Sequence, residues 1–236
     1  MLLFAIAVAP GVAICLFIYS MNKIGRSSMP YLVICFLLGM AATVPALGLQ
    51  SLAVDPRMRP WRHSIFYFAR YAFLIIALSE EGCKFLVLRL YAWPRAWFRE
   101  PFDGIVYTVM IGMGFATVEN IEYVRLFGLE AGVSRFFLAV PAHASFAVLM
   151  GYPAGKAKFQ RRHAFLLLLQ GLAVAVLFHG SFDFFIFLQQ SREAQKYLST
   201  GILSFGTFAS FYIAVRLAMN AIRRHRKEDN QLNPPE

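Results

Sequence analysis

Apolar positions in this chain come in long unbroken runs, separated by short polar stretches and not alternating with them. Seven runs, residues 2–21, 31–54, 64–91, 103–124, 136–155, 164–188 and 198–222, are each long enough to span a bilayer, which takes about 20 predominantly apolar helical residues. The pattern predicts an all-α polytopic transmembrane helix bundle of about seven spans. Residues 1–222 form one bundle and residues 223–236 a basic cytoplasmic tail. The first run has no basic segment before it, so it reads as a retained span and not a cleaved signal.

Composition supports the same class. Of 236 residues, 58% are apolar and 15% charged, with 24 Phe and a mean hydropathy of +0.56. A soluble domain carries about 25% charged residues, so a single soluble core is excluded, as is a disordered chain. Cys15, Cys35 and Cys83 are odd in number and lie inside apolar runs, so no disulfide framework is expected.

The net charge of +10 reads as membrane topology and not as nucleic-acid binding, because the basic residues sit in short loops. Loops on the carboxyl-terminal side hold 13 Lys and Arg residues, among them Lys23, Arg26, Lys156, Lys158, Arg226 and Lys227. The opposite loops hold seven: Arg57, Arg59, Arg62, Arg125, Arg135, Arg192 and Lys196. That excess predicts a multi-pass protein of the cell membrane with its amino terminus outside and its carboxyl terminus in the cytoplasm.

Ionisable residues inside the spans carry the chemistry. The third span holds Glu80, Glu81 and Lys84, and the fourth holds Glu119, Asn120 and Glu122. The fifth holds His143, and the sixth His179 and Asp183. A charge at mid-membrane costs about 2.5–3.5 kcal/mol even on a lenient scale, so such groups mark a polar interior site by default. Helical spacing puts Glu80 with Lys84, and His179 with Asp183, on common faces. Glu80 and Glu81 stand about 100° apart, so one can face a cavity while the other pairs with Lys84. Gly112 and Gly114 permit close helix approach, and Gly151-x-x-x-Gly155 reads as packing.

Paired carboxylates with two histidines suit general acid–base work on water. The same set could bind zinc, with His143, His179 and Glu119 as three ligands and an open position. No His-Glu-x-x-His helix is present, and Lys84 would compete with a divalent ion, so the residues favour a metal-free site, with zinc as the alternative. A proton-coupled transporter would also bury such groups, as would a catalytically silent binding or immunity protein of the same fold.

Glu80-Glu81-Gly82-Cys83-Lys84 resembles the E-E-x-x-K motif of the PrsW family of intramembrane proteases. Phe102-Asp103-Gly104-Ile105-Val106-Tyr107, followed by Gly114-Phe115-Ala116-Thr117-Val118-Glu119-Asn120, resembles its second signature. His143-Ala144-Ser145 and His179-Gly180-Ser181-Phe182-Asp183 resemble the third and fourth, in order on consecutive spans. The wider group includes the CAAX prenyl endopeptidases and bacteriocin-immunity-type proteins. There the second motif reads F-x-x-x-H, where this chain has Phe115-x-x-x-Glu119.

The resemblance implies a bacterial inner-membrane peptidase making a site-one-type cut in a single-span membrane protein such as an anti-sigma factor. It implies Glu80 and Glu81 as catalytic carboxylates and His179 as a catalytic histidine. The combined reading makes Glu80 the preferred base, with Glu81 held by Lys84 or sharing the role. His143 and His179 polarise the carbonyl, Asp183 orients His179, and Glu119 and Asn120 tune the cavity. The cut is expected near the outer face.

Overall fold

The computed structural model describes residues 2–21, 29–53 and 64–232. Among them every regular element is helical. In chain order these are α1 (Leu2–Met21), α2 (Met29–Ala41), α3 (Thr43–Ala53), α4 (Ile65–Arg70), α5 (Leu78–Val87), α6 (Pro101–Phe137), α7 (Ala139–Phe159), α8 (Ala164–Leu188) and α9 (Thr200–Leu232). Within hydrocarbon no water satisfies the backbone, so a spanning segment must close its own hydrogen bonds, and helices do so. Among the described residues, five stretches are long and apolar enough to cross a membrane: Leu3–Met21, Met29–Ala53, Pro101–Phe159, Ala164–Leu188 and Thr200–His225. The molecule is a multi-pass α-helical bundle.

The expected spans meet this architecture with local differences. The second breaks at Ala42 into α2 and α3, where Thr43 Oγ1 donates to Met40 O at 2.7 Å. The third is a continuous run of α and π turns, with π-helical stretches at Tyr71–Ala77 and Leu88–Ala92 on either side of α5. The fourth and fifth fall within the one stretch Pro101–Phe159. The last helix runs on to Leu232, past the expected boundary at residue 222, and residues 233–236 lie outside the described residues. So do Lys23, Arg26, Arg57, Arg59 and Arg62, which contributed to the orientation argument.

α6 and α7 form the centre of the bundle. α6 packs against α1, α2 and α7, and α7 against α8 and α9. Every residue from Phe102 to Thr117 is buried, so this stretch of α6 shows no amphipathic face. Asp103 caps its start, its Oδ2 accepting from Arg99 N at 2.7 Å and Glu100 N at 3.1 Å. Small residues set the helix spacing. A Cβ on Gly104 would lie 2.5 Å from Gly151 O, and one on Gly112 would lie 2.9 Å from the Ala147 Cβ. The second contact brings α7 close to α6 one turn from His143, which couples packing to the polar interior.

α6 turns sharply at Gly128, whose backbone (φ 79°, ψ −161°) is closed to residues with a Cβ. Residues 129–137 then fold back along the helix they came from. Gly132 comes so close that a Cβ there would stand 2.8 Å from Val124 Cγ2.

Candidate active site

α5 presents Glu80, Glu81 and Lys84 to the interior, and all three are buried. Lys84 Nζ lies 2.7 Å from Glu81 Oε1 and 3.5 Å from Glu80 Oε2, over the Phe115 ring at 4.1 Å. The π turns before α5 open the preceding backbone, and Ser79 Oγ donates to Ile76 O at 2.9 Å there. Such interruptions are common at functional sites. From α3, Gln50 Nε2 donates to Glu80 Oε1 at 3.3 Å. The other oxygen, Oε2, is buried and makes no hydrogen bond.

α8 supplies His179 and Asp183, one turn apart, with Nε2 to Oδ2 at 3.4 Å. His179 Nδ1 lies 2.8 Å from Glu81 Oε1, so with a carboxylate as acceptor that nitrogen carries the donated proton. Its Nε2 also stands 3.8 Å from Glu80 Oε2. Two acidic oxygens beside one nitrogen mark a place for a proton or a cation between them. Phe146 stacks on this ring at 5.1 Å, and Gly180 leaves room for the Phe73 ring on the opposite helix.

α7 supplies His143, buried between two partners of opposite kind. Lys84 Nζ lies 3.2 Å from Nδ1, and Glu119 Oε2 lies 2.9 Å from Nε2. An ammonium only donates, so Nδ1 accepts and the ring proton sits on Nε2, donated to Glu119. Glu119 Oε2 also accepts from Arg135 Nη2 at 3.1 Å, while Arg135 Nε donates to Asn120 Oδ1 at 3.1 Å. Asn120 in turn donates to Ala7 O at 2.9 Å, which ties α1 to the site.

The structure thus brings Glu80, Glu81, Lys84, Glu119, Asn120, His143, His179 and Asp183 into one connected network. Glu80, Glu119, Arg135, His143, His179 and Asp183 line a cavity of about 730 Å³. Glu81 and Lys84 are not among its lining residues. Glu122 also lines this cavity, but outside the network, half exposed and with Arg125 at 3.9 Å.

Glu80, Glu81, His143 and His179 each offer a ligand atom within 4.8 Å of the others. Carboxylates and imidazoles are standard zinc donors, and Glu80 Oε2 in their midst, buried and without a hydrogen bond, is what a cation or water would satisfy. The set therefore fits a divalent metal, although Lys84 now touches three of its four members. Glu119, a ligand in the set expected from sequence, is outside this group because His143 Nε2 and Arg135 engage its Oε2.

Arg135 and Gln50 went unnoticed in the sequence. From the sequence Arg135 reads as a loop charge. The available signal was a charge balance, since four interior carboxylates around the site outnumber Lys84 and the histidines and call for another cation. Gln50 is one neutral amide in an apolar run, and nothing in the sequence singles it out.

A family model described as PrsW family intramembrane metalloprotease matches residues 27–216. Protease PrsW of Shouchella clausii is 34% identical over 76% of this chain and 81% of its own length. Protease PrsW of Clostridioides difficile is 31% identical over 79% of this chain and 80% of its length, and that of Bacillus subtilis 32% over 76% and 80%. No solved structure matches this chain.

Proposed function

The chain belongs to the PrsW family of intramembrane metalloproteases and is a membrane peptidase, and on that premise we propose that it hydrolyses a peptide bond at the cavity between α5, α6, α7 and α8, with Glu80 as general base. The observation that carries this is Glu80 itself. It lines the cavity, Gln50 holds its Oε1, and its buried Oε2 makes no hydrogen bond, with Lys84 Nζ at 3.5 Å. Glu81 is occupied by Lys84 and His179, so it anchors and does not react.

Glu80 accepts a proton from water as the water oxygen attacks the scissile carbonyl carbon. When the C–N bond breaks, the same proton passes to the leaving nitrogen, which leaves a carboxylic acid and an amine. With a second proton on Nε2, beside Asp183 and Glu80, His179 would polarise the carbonyl and offset charge developing on its oxygen, while His143, whose one ring proton goes to Glu119, would act through its Nδ1 within the donor group. Asp183 fixes the His179 ring, and Glu119 fixes His143. Glu81, His143 and His179 would hold a divalent metal, which when bound supplies the same polarisation as a Lewis acid. The metalloprotease description of the family weighs toward that metal and against the metal-free preference drawn from the residues alone.

The substrate we propose is a single-span membrane protein, such as an anti-sigma factor, cut near the outer face. The loop charges support an amino terminus outside and a carboxyl terminus in the cytoplasm, and a cytoplasm-only reporter fused at the carboxyl terminus checks this by being active. Wild type and Glu80→Gln, each reconstituted with candidate single-span proteins, test the site. Loss of a positioned base costs about 10²–10⁴-fold in rate, and the cut should map to the external end of the substrate span. Near-normal turnover by Glu80→Gln would overturn the assignment, and a proton flux without cleavage would point to a transporter.

A further inference from the structure

One cation in the cavity wall has no part in the chemistry above. Arg135 lies on the limb 129–137 beyond Gly128, 16 residues from Glu119. On a straight helix that separation would be about 24 Å, yet Arg135 Nη2 stands 3.1 Å from Glu119 Oε2. Its Nε reaches Asn120 Oδ1 at 3.1 Å, and its guanidinium sits 4.1 Å from the Tyr123 ring centre. Leu129, Val133 and Phe137 on the same limb are exposed. The limb therefore delivers its one cation inward while these three apolar residues face out.

We propose that Arg135 is a positioning residue of the reaction, acting through Glu119 on the His143 ring; this rests on the peptidase site described above. Glu119 Oε2 is shared between Arg135 Nη2 and His143 Nε2. The guanidinium holds that oxygen with one hydrogen bond and anchors itself on Asn120 Oδ1 with a second, a geometry that a planar fork provides and an ammonium does not. The fixed carboxylate then accepts the His143 Nε2 proton and leaves Nδ1 turned toward Lys84 and the donor group. A ring held at one nitrogen by an acidic residue and presenting the other is the usual arrangement for orienting a reactive or ligating histidine. Without Arg135, Glu119 gains rotational freedom and His143 loses the acceptor that sets its tautomer.

Gly128 gives an independent handle on the same geometry. Its backbone conformation is one that L side chains rarely adopt, and a Cβ there would meet nothing within 4 Å. Glycine is needed for the turn alone, so Gly128→Ala redirects the limb without touching a charge in the site.

The test uses the full chain with Arg135→Ala, Arg135→Lys and Gly128→Ala, reconstituted with the single-span protein that wild type cleaves. Turnover should fall about 10–100-fold in Arg135→Ala and Gly128→Ala, the range for outer partners of a reactive histidine. KM should stay within about twofold, since the lost interaction does not bind substrate. Arg135→Lys should fall between, and added guanidinium should recover part of the Arg135→Ala loss. Arg135→Ala on top of Glu119→Gln should cost little more than Glu119→Gln alone. In ¹⁵N-histidine spectra of the solubilised protein, the His143 Nε2 proton should exchange slowly in wild type and fast in Arg135→Ala, with His179 unchanged. Unaltered turnover, a rise in KM alone, or an intact His143 signal in a destabilised Arg135→Ala would overturn the proposal. If wild type cleaves none of the proteins tested, the peptidase assignment fails by itself, and the His143 signal still decides the role of Arg135.

Discussion

The two sides of the cavity are built in opposite ways. On the α5–α8 side each helix carries its own short-range pair, Glu81 with Lys84 and His179 with Asp183, and the two pairs meet at 2.8 Å between Glu81 and His179. These groups are almost wholly buried, apart from Asp183 at 16% side-chain exposure. On the α6 side the key pair is Glu119 with Arg135, 14–19% exposed and dependent on a chain reversal at Gly128. The first side is rigid because of local spacing and burial. The second is as firm as one turn and one guanidinium make it. His143 joins them, touching Lys84 on one side and Glu119 on the other.

Breaking each side should separate them by size. Glu81→Gln leaves the Lys84 ammonium buried without its 2.7 Å carboxylate partner. Removing one member of a buried pair costs about 3–5 kcal/mol, so this variant should unfold much more readily in detergent and lose activity. Glu119→Gln keeps a hydrogen-bond acceptor, and Arg135 retains access to the cavity, so its cost should be about 1.5–3 kcal/mol, the range for a hydrogen bond to a charged group. Equal losses in the two variants would erase the distinction.

A smaller effect concerns the cation within the donor group. Lys84 contacts Glu80, Glu81 and His143, three of the four candidate metal donors. Opposite charges a few ångströms apart interact by about 4 kcal/mol at an intermediate dielectric. Replacing the ammonium in Lys84→Met should therefore raise zinc affinity at least about tenfold in a titration with zinc alone against a chelator. A fall in affinity would show that Lys84 supports a metal and does not compete with one. The smallest effect belongs to Gln50→Leu, which removes one 3.3 Å hydrogen bond from Glu80. A loss of about 1 kcal/mol, or a five- to tenfold drop in turnover, is expected, with stability almost unchanged.

Much of this was written in local patterns. An apolar run of about 20 residues has few fates other than a spanning helix, so α1, α8 and the bulk of α6, α7 and α9 follow directly from hydropathy. Glu80 with Lys84, and His179 with Asp183, follow from helical spacing, because residues four apart share a face in any environment. What hydropathy does not carry is the interruption of a helix that stays apolar throughout. The π turns around α5 and the break at Ala42 lie inside such runs.

Sequence alone determined the all-α membrane class, the family resemblance and the residue types of the site, since each rests on composition or on spacing within one helix. Only the tertiary structure decided which atom each group faces. It turned Glu80 to the cavity and Glu81 to Lys84 and His179. It set the two histidine rings 5.0 Å apart edge to face, and it folded Arg135 back onto Glu119. The physical reason is range. Spacing within a helix is fixed by 1.5 Å and 100° per residue, whereas the approach of α6 to α7 is set by Gly104, Gly112, Gly151 and Gly155, and the return of residues 129–137 by a single glycine dihedral. Those are contacts between segments far apart along the chain, and they exist only once the helices have packed.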